Sequence, residues 1–252
     1  RPGFTTRKLT ALRPMNYLAH LYFAEDSPES CVGNLMADFV RGPVDRQPYN
    51  GAVMRGMRSH VAVDRFTDSH DVVRESKALI SPTRRRFAGI IVDICYDHFL
   101  ARNWPRFSDE PLSAFIERTY GSLSAYRGDM PPVLSRVIRH MVRHDWLQGY
   151  RETAGIGRAL DGLSMRVRRP NTLAGSVEEL EANYDEMEGH FLRFFPDLVR
   201  HMETGPGQSR EGTRPGPAGT IHEEKQPKPT GATHEEARLK PAGTTHEEAA
   251  ER

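Results

Sequence analysis

Apolar residues recur three and four positions apart along most of the chain, between about residues 15 and 204. This spacing places them on one face of a helix, whereas the strict alternation of a half-buried strand is hard to find. The pattern therefore predicts an all-α domain. Its expected helices cover approximately residues 15–24, 30–41, 50–66, 69–79, 83–103, 109–126, 131–145, 147–161 and 174–202.

Local signals refine the starts of two of these helices. Ser81-Pro82-Thr83 is typical of the first turn of a helix, so we expect the fifth helix to begin there. Ser176 with Glu179 three residues later fits a capping box at the start of the last helix. No glycine-rich phosphate loop follows a strand in this pattern.

The two ends of the chain lack the periodic pattern. Residues 205–252 contain no aromatic residue, and a unit ending in His-Glu-Glu recurs there every 12 residues. Such a segment cannot bury enough apolar area to offset its chain entropy, which predicts a disordered low-complexity tail. Residues 1–14 carry basic but no acidic side chains and no apolar run of a secretory signal, so we expect a disordered extension. The predicted folded domain is 15–204.

Composition narrows the class of protein. The chain has 252 residues, 37% hydrophobic residues, a formal net charge of +1 and two cysteines. A disulfide framework, a membrane-dominated chain and a strongly basic nucleic-acid binder are therefore not expected. We predict a cytoplasmic protein with no nucleic-acid or membrane partner.

Histidines and aspartates fall on the apolar faces of four predicted helices. His60 and Asp64 are one turn apart on one helix, and His98 lies on the buried face of another with Asp97 at its edge. His20 and Asp38 lie on two further helices. Buried carboxylates need a cation, an arginine or a hydrogen-bond network, so both a divalent metal site and a structural network are consistent with this pattern.

Four segments together resemble the acyl carrier protein phosphodiesterase family, from Met15 to about residue 202. They read Met15-Asn-Tyr-Leu-Ala-His20-Leu, Gly33-Asn34-Leu-Met-Ala-Asp38-Phe-Val-Arg41-Gly42, His60-Val-Ala-Val-Asp64-Arg-Phe-Thr-Asp68 and Asp93-Ile-Cys-Tyr-Asp97-His98-Phe-Leu-Ala-Arg-Asn-Trp104. The resemblance implies a helical fold related to HD-type metal phosphohydrolases. It also implies hydrolysis of the phosphodiester that joins 4′-phosphopantetheine to the serine of holo-acyl carrier protein, with Mn²⁺ as the cofactor and Mg²⁺ or Fe²⁺ as alternatives.

The resemblance also assigns roles to residues. The implied metal residues are His20, Asp38, His60, Asp64, Asp97 and His98. The implied catalytic residues are Asp38, Asp64 and His98, and the groups that orient substrate or ligands are Asn34, Asp68 and Asp93. Because Asp97 precedes His98 here, whereas the HD signature is a His-Asp doublet, the ligand order of ordinary HD enzymes is not transferred.

Carrier proteins are acidic, so a basic surface is expected to dock them. The first candidate surface is the run Arg84, Arg85 and Arg86 at the start of the fifth predicted helix, although an ordinary solvated charge run is the alternative. Two other functions remain open from the sequence. One is an HD-type phosphohydrolase acting on a nucleotide or another small phosphodiester, and the other is a non-catalytic helical protein that binds carrier protein.

Overall fold

The computed structural model describes residues 16–167 and 169–205. Within these ranges the regular structure consists of eleven α-helices and four short 3-10 helices, with no β-strand, which confirms the all-α prediction. The α-helices are α1 (Tyr17–Tyr22), α2 (Pro28–Met36), α3 (Gly51–Ser69), α4 (Asp71–Leu79), α5 (Ala88–Arg102), α6 (Leu112–Ala125), α7 (Pro132–Arg143), α8 (Trp146–Gly149), α9 (Thr153–Arg166), α10 (Val177–Ala182) and α11 (Tyr184–Thr204). The 3-10 helices are Ala37–Phe39, Val44–Arg46, Arg85–Phe87 and Trp104–Arg106.

Helix boundaries differ from the expectation at four main places. The predicted helix 30–41 ends at Met36, so Asp38 lies in a 3-10 turn instead of an α-helix. The predicted segments 147–161 and 174–202 are each divided into two helices, with breaks before Thr153 and at Asn183. The predicted fifth helix starts later than expected, because a 3-10 turn precedes it and α5 begins only at Ala88. Periodicity could not locate these breaks, because short helices on either side of a turn keep the same apolar face toward the core.

The expected capping box at Ser176 is wrong. The Ser176 hydroxyl donates to the Leu173 carbonyl oxygen at 2.6 Å and makes no capping hydrogen bond to α10. The Glu179 carboxylate instead accepts hydrogen bonds from the main-chain amide and the hydroxyl of Ser81. Glu179 thus bonds to the distant Ser81 and not to the start of its own helix. This long-range contact anchors the turn before α5 to α10.

Helix α5 lies at the centre of the core. Every residue from Ile91 to Ala101 is buried, so this part of the helix is enclosed on all sides rather than amphipathic. It packs against α1, α4, α9 and α11. The two cysteines, Cys31 and Cys95, are buried and free, in agreement with a fold that needs no disulfide.

Helices α2 and α3 pack with their backbones in close approach. A Cβ atom on Gly33 would lie 2.3 Å from the Val53 carbonyl oxygen, and one on Gly56 would lie 2.5 Å from the Ser30 carbonyl oxygen. Only glycine therefore fits at this crossing. The approach brings the main chain of Asn34 on α2 within reach of side chains on α3.

The predicted N-terminal extension 1–14 and the repeat tail, apart from Gly205, lie outside the described residues. Among the helices of the described ranges, none combines the length and the apolar character needed to cross a membrane.

Candidate metal centre

Four side chains of metal-ligand type meet at the junction of α1, α3 and the 3-10 turn after α2. His60 Nε2 lies 3.2 Å from Asp38 Oδ1 and 3.2 Å from Asp64 Oδ2. His20 Nε2 lies 3.4 Å from Asp64 Oδ1. The His60–Asp64 pair arises from their spacing of one helical turn, and His20 reaches the same carboxylate from α1.

The two imidazole rings stack on each other. Their centroids are 3.8 Å apart and their planes differ by 16°. His60 Nδ1 lies 2.7 Å from the main-chain oxygen of Asn34, which can only accept, so Nδ1 donates and Nε2 faces the carboxylates. A carbonyl that fixes the orientation of a histidine ring in this way is common behind metal-ligating histidines. Asn34 thus contacts the cluster through its backbone, and its side chain donates to the Ser30 carbonyl oxygen.

The protonation of the cluster follows from its charges. Burial lowers the pKa of His20, and the neighbouring His60 lowers it further. Burial also disfavours the His60 cation, but the contacts with Asp38 and Asp64 outweigh it and raise the pKa of His60 to about 10. For Asp64, burial favours the neutral acid, yet the two histidines dominate and lower the pKa of the carboxyl below its usual range.

The donor set fits a divalent cation. His20, His60 and Asp64 each place one ligand atom so that these atoms all lie within 4.8 Å of one another. The Nε2 atoms of both histidines are buried and make no hydrogen bond of acceptable geometry within the described structure, although carboxylate oxygens lie close. Imidazole nitrogens with carboxylate oxygens suit Mn²⁺, Fe²⁺ or Zn²⁺. The Asp64 side chain is 31% exposed, so the cluster opens to solvent on that side.

Asp97 is not part of this cluster. Its two carboxylate oxygens accept hydrogen bonds from the main-chain amides of Leu18 and Ala19, each at 2.9 Å. Burial raises the pKa of Asp97 well above its usual range, although these two bonds oppose the shift. Asp97 therefore holds the start of α1, the helix that carries His20, instead of facing the metal ligands.

His98 also lies apart from the cluster. Its Nδ1 donates to the Tyr150 carbonyl oxygen at 2.8 Å, and its Nε2 is 2.9 Å from the Tyr184 hydroxyl. Burial lowers the pKa of His98, in agreement with a neutral ring whose Nε2 accepts from the tyrosine. Both nitrogens join α5 to the loop after α8 and to α11, so their partners in the described structure lie outside the cluster.

Asp68 and Asp93 lie on the α4 side of the cluster. Asp68 is one turn beyond Asp64 on α3, and its Oδ1 accepts a hydrogen bond from Lys77 Nζ at 3.0 Å. Asp93 is buried on α5 and lines a small cavity together with Ala19 and Val63, the neighbours of two cluster residues. Burial raises the pKa of Asp93 to about 8, against the opposing charge of Lys77. Lys77 is the only lysine among residues 16–205, and sequence reasoning assigned no role to it.

The three arginines expected to dock carrier protein occupy different environments. Arg84 is only 20% exposed and forms ion pairs at 3.2 Å with Glu178 and Glu179. Arg85 donates to the Ile80 carbonyl oxygen, whereas Arg86 is exposed and lies over the Phe87 ring. Only the charge of Arg84 is therefore paired with carboxylates within the described residues, and the exposed Arg85 and Arg86 have no carboxylate partner there.

The fold and the cluster together define a helical protein with a buried His/Asp centre of the kind that holds a divalent cation. The family model for acyl carrier protein phosphodiesterase matches residues 15–198, so the chain belongs to that family. Proteins named acyl carrier protein phosphodiesterase from Klebsiella pneumoniae (strain 342) and Serratia proteamaculans (strain 568) are 36% and 37% identical to it over 190 residues. Each alignment covers 75% of this chain and 98% of the relative.

A relative of the same name from Enterobacter sp. (strain 638) is 37% identical over 186 residues, 73% of this chain and 96% of the relative. No solved structure matches the chain. The expected relation to HD-type phosphohydrolases therefore stays a prediction.

Proposed function

We propose that this protein hydrolyses the phosphodiester bond between 4′-phosphopantetheine and the serine of holo-acyl carrier protein, which gives apo-carrier protein and 4′-phosphopantetheine. The observation that carries the proposal is the His20–Asp38–His60–Asp64 cluster in a chain whose relatives, nearly end to end, are named for this activity. We assign the cation to these four residues, with Mn²⁺ as the first candidate.

The chemistry of a phosphodiester explains why such a cluster is needed. A phosphodiester is an anion and repels nucleophiles, and its ester oxygen leaves as an alkoxide. A divalent cation bound at the cluster would lower the pKa of an attacking water and neutralise charge on the phosphoryl oxygens. Asp38 and Asp64 supply the negative charge that retains such a cation, and the Asn34 carbonyl keeps the His60 ring in the orientation that presents Nε2.

Asp64 has a further role in this proposal. Its carboxylate is the more exposed of the two, and its lowered pKa keeps it ionised at neutral pH. An ionised carboxylate at the open side of the centre can accept a hydrogen bond from the attacking water and orient it toward phosphorus. We therefore assign Asp64 to orienting the attacking water.

Carrier-protein docking on the basic run at α5 remains part of the proposal, with a narrower set of residues. Arg84 already pairs with two glutamates, so we expect Arg85 and Arg86 to supply the charge that attracts an acidic partner. Charge complementarity of this kind acts mainly on association and is weakened by salt.

The test is to incubate the full chain with holo-carrier protein and Mn²⁺ and to follow the mass of the carrier. Loss of the phosphopantetheine mass, with appearance of free 4′-phosphopantetheine, is the expected result. An unchanged carrier together with turnover of a small phosphodiester would replace the proposal by a general phosphohydrolase. Tight binding of an unchanged carrier, with no turnover of either substrate, would indicate a non-catalytic carrier-binding protein.

A further inference from the structure

Lys77 stands out among the basic residues of the described chain. It is the only lysine between residues 16 and 205, where every other permanent cation is an arginine. Its side chain is 24% exposed, and its stem runs along α5, where a Cβ atom on Gly89 would lie 3.7 Å from Lys77 Cε and 3.9 Å from Nζ. An ammonium group is thus held in a largely enclosed position between α3, α4 and α5.

This ammonium group uses little of its bonding capacity. It has three donors, and within the described residues it makes one hydrogen bond, to Asp68. The Asp68 side chain is 76% exposed, and an ion pair of that kind contributes little to stability. Two of the three donor positions of the ammonium group remain available to a further acceptor within the described structure.

The position of the ammonium group relates it to the metal centre. Its partner Asp68 is one turn from Asp64 on α3, which corresponds to about 5–6 Å between Cβ atoms. Besides its burial, Asp93 of α5, one turn beyond Gly89, experiences both charges in opposite directions: Lys77 lowers its pKa and Asp64 raises it. A positive charge therefore lies on the bonding partner of Asp68, one turn of α3 from Asp64, the carboxylate of the cluster that reaches solvent.

We propose that the Lys77 ammonium group binds a non-bridging oxygen of the substrate phosphate and positions it beside the His20–Asp38–His60–Asp64 cluster. This inference rests on the proposed function, because it names the group that holds the anion while the cluster holds the cation. A lysine ammonium group binds phosphate as a compact point charge whose three donors can be shared between Asp68 and one phosphate oxygen. In this proposal Asp68 keeps the ammonium group in place, and the ammonium group turns one of its N–H donors from Asp68 or solvent to the phosphate when substrate binds.

The test compares two variants of Lys77 with a control on the same helix. Lys77→Met keeps the apolar stem and removes the charge, and Lys77→Arg keeps the charge. Arg74→Met removes an exposed cation that bonds only to Ser69 and Asp71 within the described residues. We expect Lys77→Met to raise the KM for holo-carrier protein and the inhibition constant of inorganic phosphate by about ten- to a hundredfold, the range of a charged hydrogen bond. Lys77→Arg should restore both constants to within about threefold of wild type.

The control separates this role from a structural ion pair. Arg74→Met should leave KM and phosphate inhibition unchanged. If Lys77 served only in a structural ion pair, Lys77→Met would lower the melting temperature without changing phosphate inhibition. Lys77→Met protein that turns over with wild-type KM and wild-type phosphate inhibition overturns the inference while the proposed function stands. A wild-type protein that releases no phosphopantetheine overturns the proposed function first.

A second measurement on the wild-type chain covers the case in which both Lys77 variants fail to fold. Acetic anhydride modifies free amines, and the acetylation of each lysine peptide can be followed by mass spectrometry. Inorganic phosphate, added with Mn²⁺, should slow acetylation of Lys77 relative to chloride at equal ionic strength, with Lys8 and Lys225 as internal references. Equal acetylation of Lys77 in phosphate and chloride would contradict the inference without reference to catalysis.

Discussion

Two pairs of histidine and aspartate lie in the same helical core, but they differ in how their polar atoms are hydrogen-bonded. His60 and Asp64 on α3 face other ligand-type atoms at 3.2–3.4 Å, and His60 Nε2 makes no hydrogen bond of acceptable geometry within the described residues. His98 and Asp97 on α5 instead use both of their polar atoms in hydrogen bonds to main chain or to Tyr184. The first pair is available to a ligand, whereas the second is occupied with holding helices together.

The difference shows that residue type and burial do not by themselves identify a ligand. Buried polar atoms are nearly always hydrogen-bonded, so a cluster in which several are not bonded is the exception that requires an explanation. A divalent cation would satisfy the α3 cluster, whereas the polar side-chain atoms of Asp97 and His98 already have hydrogen-bond partners within the described residues. Equivalent substitutions in the two pairs therefore test whether only the α3 pair binds a cation.

The largest effect is expected for Asp38→Ala. Removing one of the two carboxylates that face His60 should lower phosphopantetheine release by at least about a thousandfold and reduce Mn²⁺ retention, with the helical circular-dichroism signal preserved. The matched control is Asp45→Ala, because Asp45 is an exposed aspartate whose partner is Arg58 at 2.8 Å. Retained activity in Asp38→Ala, measured by carrier mass, would remove Asp38 from the centre.

A smaller effect, of a different kind, is expected for His98→Ala. The substitution leaves the Tyr150 carbonyl and the Tyr184 hydroxyl without their buried partner, which should lower the free energy of unfolding by about 2–4 kcal/mol. Mn²⁺ affinity, measured by calorimetry below the melting temperature, should stay within about threefold of wild type. If the variant lost Mn²⁺ instead, the two pairs would not differ in the way the structure indicates.

The sequence predicted the helical class and the face of α3 well, because both follow from periodicity within a single helix. His60 and Asp64 share a face at any register, so their meeting needed no tertiary information. The fate of Asp97 could not be predicted in this way, because its partners are the amides of Leu18 and Ala19, far away in the sequence. The resemblance to a family ranked Asp97 and His98 with the metal residues, and only the tertiary contacts separate them.

Asp93 belongs to neither pair and gives a pH-dependent test. Its pKa is about 8 in the folded protein against an ordinary 3.8, so the folded state binds a proton that the unfolded state releases between these values. The contribution of Asp93 to the free energy of unfolding then falls as pH rises from 5 to 7, by up to about 1.4 kcal/mol per pH unit. In Asp93→Asn the free energy of unfolding should depend less steeply on pH by that amount. Urea unfolding in the presence of a metal chelator measures this difference.

The sign of that change distinguishes burial from ion pairing. If Asp93 were held as a carboxylate by Lys77, its pKa would be lowered and the acidic limb of the stability curve would steepen instead. A wild-type slope equal to that of Asp93→Asn between pH 5 and 7 would contradict the raised pKa. Sequence reasoning placed Asp93 near the centre, but it could not predict this protonation, which depends on enclosure by α1, α3 and α11.

The smallest effect is expected from removal of residues 205–252. The family match ends at residue 198, the last helix ends at Thr204, and the four cluster residues all lie before residue 65. A chain truncated after Thr204 should therefore keep kcat and KM for holo-carrier protein within about twofold of the full chain, since no known contact of the centre is removed. A loss of kcat would show that the repeats act on catalysis. A rise in KM alone would assign the repeats to carrier-protein capture, where three His-Glu-Glu units could contribute without touching the centre.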